Sequence, residues 1–319
     1  MKKYNILLIG LGNIGGRYLE SLNKVNLDLD IYIKDKNLQI SKIFYKKFVV
    51  NNNLKKNIKI KVIKSFNDIK TKIDLAILSS TSEKRYQIIK SVYDKVFVKN
   101  WIIEKVIAQS VIDLKRISKI IRKNNSKAYV STIKKLEVIY KFIRDKFQRK
   151  IQYINFIGNN WGMACNSIHY IDLFEYLLNS KINHLYFLNK KKWFVSKRKF
   201  FFEVNGIILS TFQNGATAKI ICSDSYPMQN KITIKLVNGK KIEIFDDKKF
   251  ILYQKKIKRF KNQNLSDLMP NVIRNILLEL DSGLTSVDSS ITQHILLIKE
   301  FLFNWNKIYK KSDKKIYIT

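Results

Sequence analysis

Ile9-Gly10-Leu11-Gly12-Asn13-Ile14-Gly15-Gly16-Arg17-Tyr18 is the stretch that decides the fold. It follows an apolar run, Tyr4 to Ile9, that reads as a buried strand. It precedes Tyr18-Leu19-Glu20-Ser21-Leu22, which reads as the start of a helix. A Gly-x-Gly-x-x-Gly spacing between strand and helix lets backbone meet a pyrophosphate. Gly10 permits the tight turn. Gly12 lets the chain approach the diphosphate, because a Cβ there would collide with it. Gly15 lets the helix lie close to the strand. The N–H groups of the first helical turn then face the negative charge. Asn13 and Ile14 lie within the loop and are expected to touch the same ligand. Arg17 is either a phosphate contact or a surface charge.

Working outward, the run Asp30-Ile31-Tyr32-Ile33-Lys34-Asp35 ends in an acid 20 positions after Gly15. A carboxylate at the end of a second strand accepts hydrogen bonds from both ribose hydroxyls of NAD and repels the extra phosphate of NADP. The plainer alternative is that Asp35 caps a turn. Lys36 softens the discrimination, so NAD is expected and NADP stays open. Ile58–Ile63 alternates apolar and polar residues and reads as a third strand. Asp74–Ser79 reads as a fourth, buried on both faces. Ser79, Ser80 and Thr81 follow it and are expected to line the cofactor, with a plain polar loop as the alternative. A helix over 83–93, a strand at Trp101–Glu104, a helix over 109–123 and a strand at 128–130 complete a repeated strand–helix–strand pattern, which means a doubly wound parallel sheet.

The pattern changes after residue 130. A helix near 136–147 is followed by β-rich runs. The segments 200–204 and 206–210 suggest hairpin partners, and 217–222 and 232–237 suggest two more strands. Asn238-Gly239 is the signal of a type I′ turn leading into 241–245. A helix is expected from about Ser167 through Tyr176, and two more over 268–280 and 290–308. The expected fold is therefore α/β: a Rossmann domain over 1–130, then an α+β domain over 131–319 with an open, mostly antiparallel sheet. The last helices can pack back on the first domain.

Composition sets the remaining bounds. The 319 residues are 46% apolar, as in a globular protein with room for two cores. No apolar run reaches the roughly 18 residues of a membrane span. No secretory leader is expected at the N-terminus. Cys165 and Cys222 show no metal-type spacing and no disulfide framework, which fits a reducing cytoplasm and predicts no metal. The net charge is +36, yet 52 of the 61 basic residues are lysine and 9 are arginine, with Gly (10) and Pro (2) scarce. Lys, Asn and Ile share A/T-rich codons, so mutational bias explains this composition on any fold. The lysines are also spread along the chain rather than gathered in one arm, which argues against specific nucleic-acid binding. The Lys190-Lys191-Lys192 run reads most simply as a solvated turn.

Three segments together carry a resemblance to the Gfo/Idh/MocA oxidoreductases (glucose–fructose oxidoreductase, inositol dehydrogenase and relatives). They are Gly10 to Gly15; Ile102-Ile103-Glu104-Lys105-Val106, which resembles the family's Glu-Lys-Pro motif; and Asn166-Ser167-Ile168-His169-Tyr170-Ile171-Asp172, which resembles its Gly-x-His-x-x-Asp segment. Val106 replaces the usual proline, often cis; a trans peptide is expected there, since a non-proline cis bond costs about 2.5–4 kcal/mol. Cys165 stands where many members have an aspartate. Both changes look like those of members linked to bacterial surface-glycan synthesis. The resemblance implies a sugar or sugar-acid substrate and a homo-oligomer, dimer or tetramer.

Oxidising a sugar hydroxyl removes a hydride and a proton, and the protein manages the proton. His169, with an ordinary pKa of about 6.5, suits that exchange. Lys105 can stabilise negative charge on the reacting oxygen. These two are the expected catalytic pair, flanking the reacting carbon. Glu104 is expected on the cofactor side, positioning Lys105 or the nicotinamide. Trp161, Asn166 and Asp172 are expected beside the substrate with Lys105 and His169. Trp161 would stack on a sugar ring, with core packing as an equal alternative. The rival expectation is a catalytically silent nucleotide-binding or scaffold protein on the same fold.

Overall fold

The first strand, β1 (Lys3–Ile9), is flanked by two parallel neighbours, β2 (Asp28–Lys34) and β4 (Ile73–Leu78). The computed structural model describes residues 2–37, 39, 42, 43, 45, 46, 48, 54–225 and 229–319. Beyond β2 lies β3 (Ile58–Val62); beyond β4 lie β5 (Val98–Ile103) and β6 (Lys127–Val130), all parallel. The order β3-β2-β1-β4-β5-β6, with the two-residue strand Thr285–Ser286 added antiparallel at the β6 edge, is that of a doubly wound dinucleotide-binding sheet. The order reverses between β1 and β4, and sheets of this kind bind ligands in the crevice at the strands' C-terminal ends at that point. The sheet is buried on both faces: Ile6, Leu7, Leu8, Leu75, Ala76, Ile77 and Leu78 have no exposed surface. Helices α1 (Asn13–Lys24), α2 (Arg85–Tyr93) and α3 (Val111–Lys123) fall between these strands.

Two compact units divide the chain, and neither is one continuous stretch. The first comprises residues 1–108, 112–131 and 264–289; the second comprises 109–111, 132–263 and 290–319. Residues 264–289 thus return to the first unit after the second sheet is complete, where α1 packs against the helix Leu265–Leu277.

An eight-stranded sheet forms the second unit. Its central strand, β7 (Ile151–Asn159), pairs in parallel with β12 (Thr217–Ser223) and antiparallel with β13 (Lys231–Leu236). On one side β12 leads to β11 (Gly206–Phe212) and β8 (Ile182–Leu188). On the other, β13 leads to β14 (Lys241–Phe245), β15 (Phe250–Tyr253) and β16 (Lys256–Arg259). All pairs but β7–β12 are antiparallel, so the sheet is mostly antiparallel as expected. Helices α4 (Val138–Phe147) and α5 (Met163–Leu178) belong to this unit, and α5 packs on β7 and β12. Among the described residues no helix is long and apolar enough to cross a membrane.

Three local expectations need correction. The segments 200–204 and 206–210 are not hairpin partners. β10 (Phe202–Glu203) pairs with β9 (Phe194–Val195) in a separate two-stranded ribbon, while β11 pairs with β8 and β12. Only Asn205 separates the two runs, too little chain to reverse direction between paired strands. The turn at 237–239 is not type I′, which needs positive φ at both central residues. Only Gly239 is left-handed (φ +77°); its N–H donates to Leu236 O at 2.9 Å, and Leu236 N–H donates to Lys240 O at 2.9 Å. That is a type I turn closed by a glycine bulge. The Lys105–Val106 peptide is cis rather than trans. The buried Arg85 guanidinium donates to the carbonyls on both sides of this turn, Glu104 O and Val106 O, and to Ser80 O.

Candidate functional site

In the first unit the glycine loop leaves β1 and enters α1 within four residues. Gly10 has φ +91°, and a Cβ on it would stand 2.8 Å from Ser80 N. A Cβ on Gly15 would stand 2.0 Å from Gly10 O, so only glycine lets α1 close on the turn. Gly12 differs. It is exposed, its φ is −82°, and a Cβ there would meet nothing within 4 Å. Backbone strain and protein contacts therefore give no reason for glycine at position 12. The space is a cradle that a side chain would fill, at the N-terminus of a 12-residue helix whose first position makes no side-chain cap. These residues fit a pyrophosphate.

The loop is held from both sides. Asp35, half-exposed at the end of β2, accepts from Leu11 N–H at 2.7 Å through Oδ2 and from Asn37 N–H at 2.9 Å through Oδ1. Ser79 Oγ donates to Gly10 O at 2.7 Å and lies 3.0 Å from Ile9 O, so its hydroxyl braces the turn. Ser80 is half-buried and Thr81 exposed beside it; Asn13 is exposed and Ile14 half-buried on the loop. Arg17 is exposed. Glu104 is buried, and its Oε1 accepts from the Tyr18 hydroxyl at 2.7 Å, which also lies 2.7 Å from Ser131 Oγ. Burial first, and the Glu104 carboxylate second, push the Tyr18 hydroxyl well above its usual range, so it remains a donor. Lys105 is half-buried on the turn after β5.

A polar pocket of about 410 Å³ lies within the second unit. His169, Asn166 and Trp161, all singled out from the sequence, line it. So do Lys134, Tyr170, Asn230, Asp246, Asp247, Lys249 and Asn262, which sequence reasoning missed. Helix α5 presents Asn166, His169 and Tyr170 at i, i+3 and i+4, one face of the helix. Tyr170 stacks on Phe156 with centroids 3.8 Å apart, and Trp161 meets both rings edge-on. The Trp161 indole N–H donates to Ile221 O at 3.1 Å, and Asn166 Nδ2 donates to Trp161 O at 2.9 Å.

A chain of alternating charge crosses the pocket wall. Lys134 pairs with Asp246 and lies 4.9 Å above the Tyr170 ring. Lys249 bridges Asp246 at 2.9 Å and Glu137 at 2.7 Å, and the Tyr140 hydroxyl donates to Asp246 at 2.6 Å. Burial alone would raise the Asp246 carboxyl, but Lys134 and Lys249 outweigh it and hold the group well below the usual range. Glu137 moves the other way: burial raises it, only partly offset by the same lysines. Asp172 does not line the pocket. It is 3% exposed, with Lys135 Nζ 3.5 Å from Oδ2 and Gln293 Nε2 3.4 Å from Oδ1. Burial lowers the Lys135 ammonium pKa, and Asp172 partly restores it.

These features define a doubly wound dinucleotide-binding fold in the first unit. Residues 4–132 match the Gfo/Idh/MocA family model, described as an oxidoreductase family with an NAD-binding Rossmann fold, and the resemblance read from the sequence holds. Similar solved structures extend over both units. UDP-N-acetylglucosamine 3-dehydrogenase from Acidithiobacillus ferrooxidans superposes with a TM-score of 0.73 at 10% identity, covering 94% of this chain and 97% of that one. A super-repressor mutant of Gal80p from Saccharomyces cerevisiae gives 0.73 at 12%, covering 97% of each. An oxidoreductase from Agrobacterium radiobacter in complex with NAD+, L-tartaric acid and magnesium gives 0.72 at 16%, covering 93% and 94%. At these identities the likeness is one of fold. No curated protein matches the sequence.

Proposed function

We propose that this chain is an NAD(P)-dependent oxidoreductase acting on a secondary hydroxyl or ketone of a sugar or sugar acid. The observation that carries the reading is Gly12, a glycine that neither φ nor protein packing requires, facing open space at the start of α1. Gly10, Gly12, Asn13, Ile14 and Gly15 would hold the pyrophosphate, and Asp35 the ribose hydroxyls, with NAD preferred. Ser79 shapes the turn, Ser80 and Thr81 line its rim, and Glu104 fixes the segment that bears Lys105. A bound nicotinamide would supply or accept the hydride.

The protein's own residues would manage the rest. An imidazole nitrogen of His169 takes the hydroxyl proton in oxidation and returns it in reduction. The Lys105 ammonium stabilises negative charge on the reacting oxygen. Trp161 offers an aromatic wall and Asn166 a polar edge to a polyhydroxyl ligand, as the carboxamides of Asn230 and Asn262 do. Asp172 acts from behind α5, through Lys135 and the helix, rather than on the substrate. A dimer or tetramer, sugar metabolism and a place in surface-glycan synthesis belong to the same reading.

The test is a fluorescence titration of the full chain with NADH and NADPH, wild type against Asp35→Ala, followed by turnover over a panel of sugars and sugar acids. NADH binding weakened about tenfold by the variant, about 1.4 kcal/mol, supports the reading. A chain that binds neither cofactor overturns it. NADH binding without turnover on any panel member would favour a silent nucleotide-binding or scaffold role. Val106 and Cys165 in place of family residues keep that second reading in play, as does a structural neighbour that is a repressor by name.

A further inference from the structure

The ribbon at 189–203 in the second unit touches the helix that bears His169 through Glu203, which accepts from Ala164 N–H at 2.8 Å, but none of its residues lines the candidate pocket. Its strands, Phe194–Val195 and Phe202–Glu203, pair antiparallel with Val195 opposite Phe202. Residues 190–199 carry Lys190, Lys191, Lys192, Lys197, Arg198 and Lys199 and no acid; all six are exposed. Three large apolar side chains stand among them: Phe194 at 45% exposure, Val195 at 64% and Phe200 at 84%.

These side chains are not exposed for lack of a core nearby. Their chain neighbours Trp193 and Phe201 are buried. Trp193 meets Phe301 and Trp305 edge-on, and its indole N–H donates to Asn304 Oδ1 at 3.0 Å. Phe202 packs on Trp305, and its N–H donates to Tyr317 O at 2.8 Å. The root of the ribbon is therefore anchored by aromatic packing. The tip is shaped by its own bonds: Ser196 N–H to Phe201 O at 2.8 Å, Phe201 N–H to Arg198 O at 3.2 Å, and Arg198 N–H to Ser196 Oγ at 3.1 Å. Phe200 has φ +68°, a region that costs a bulky residue backbone energy. The turn's hydrogen bonds hold that conformation, but the ring itself gains no burial from it, touching solvent over most of its surface.

We propose that this ribbon docks the protein on an anionic lipid surface. Phe194, Val195 and Phe200 bury at the boundary between headgroups and acyl chains, and the cations, of which only Lys191 has an acidic neighbour on the protein among the ion pairs described (Asp224, 3.5 Å), meet lipid phosphates. Peripheral attachment needs apolar burial together with charge attraction, and the ribbon offers both within ten residues. Val195 offers a nucleic-acid base no stacking face but gains from transfer to lipid.

The experiment is co-sedimentation of the full chain with phosphatidylcholine vesicles, with and without phosphatidylserine. Phe194→Ser/Phe200→Ser keeps every charge. Ile257→Ser is the control, since Ile257 is 59% exposed among Lys255, Lys256, Lys258 and Arg259 on another hairpin. Wild type and the control are expected to bind phosphatidylserine vesicles alike, with the double variant about tenfold weaker. Equal binding by all three would overturn the proposal in favour of bulk charge. So would unchanged vesicle binding accompanied by altered RNA binding or oligomeric state in the double variant. A second readout is independent of that variant's folding: Phe200→Trp should blue-shift its emission on phosphatidylserine vesicles, and no shift would contradict insertion.

Discussion

The loop from Gly10 to Gly15 and the pocket around His169 differ in what they are made of. The loop is backbone: three glycines within six residues, braced by the carboxylate of Asp35 and the hydroxyl of Ser79. The pocket is side chains, drawn from a turn at 134, the 161–170 segment, Asn230, the 246–249 turn and Asn262. A backbone site requires glycine at fixed short spacing, so it writes a local signature. A side-chain site requires only that distant positions converge. The comparison also separates kinds of glycine, because packing requires Gly15 and does not require Gly12.

The largest expected effect falls on the fold side of the first unit. Gly15→Val would drive a Cβ to 2.0 Å from Gly10 O. We expect loss of the unit's stability, on the order of 5–15 kcal/mol, seen as loss of its cooperative melting transition. A variant that melted like wild type would break the distinction between the two glycines.

The next effect concerns the charged wall of the second unit. Asp246→Asn should cost about 3–5 kcal/mol at neutral pH, because Lys134 and Lys249 lose their buried partner. The pH dependence has a definite sign. Asp246 has a lowered folded-state pKa, so its stabilisation is complete above its unfolded value of about 3.9 and is lost as pH falls through the lower folded value. Glu137, raised by burial, contributes oppositely: ionising it as pH rises through its folded value costs stability. Denaturant titrations of wild type and Asp246→Asn should therefore converge below about pH 4. A gap that stayed constant down to pH 2 would contradict this charge assignment.

The smaller effect is catalytic and leaves both units folded. For any substrate found in the panel, His169→Gln should lower kcat by about 10²–10⁴-fold with NADH affinity unchanged. Lys105→Met should do the same. Equal losses of turnover and cofactor affinity would move either residue out of its proposed role.

Legibility in the sequence follows the same division. The strands β1 to β6 could be read because parallel strands buried on both faces are short apolar runs, as in Ile6-Leu7-Leu8-Ile9. The mostly antiparallel second sheet was legible as a class. Its central strand β7 was not, because Gln152 and Asn155 interrupt its apolar run. The Phe200–Phe202 run misled for a related reason: three phenylalanines in a row do not state their partner, and here they divide between the aromatic cluster and solvent. In the site, His169, Asn166 and Trp161 were found through one contiguous segment. Lys134, Asp246 and Lys249 were lost among the chain's many charges. A usable signal existed for Asp246 and Asp247, an acid pair in a strongly basic chain just after a predicted strand. Arg85 left no local trace, because its partners are main-chain carbonyls.

The measurement that tests the central claim most directly is NADH titration of Gly12→Ala beside wild type, with melting followed in parallel. The added Cβ meets no protein atom within 4 Å, and a less favourable helix cap costs about 1 kcal/mol, so Tm should move by only about 2–4 °C. NADH affinity should nonetheless fall by more than tenfold, about 1.4 kcal/mol or more, because the methyl group would occupy the pyrophosphate's place. Unchanged NADH affinity in a folded Gly12→Ala protein, or no NADH binding by wild type, would contradict it.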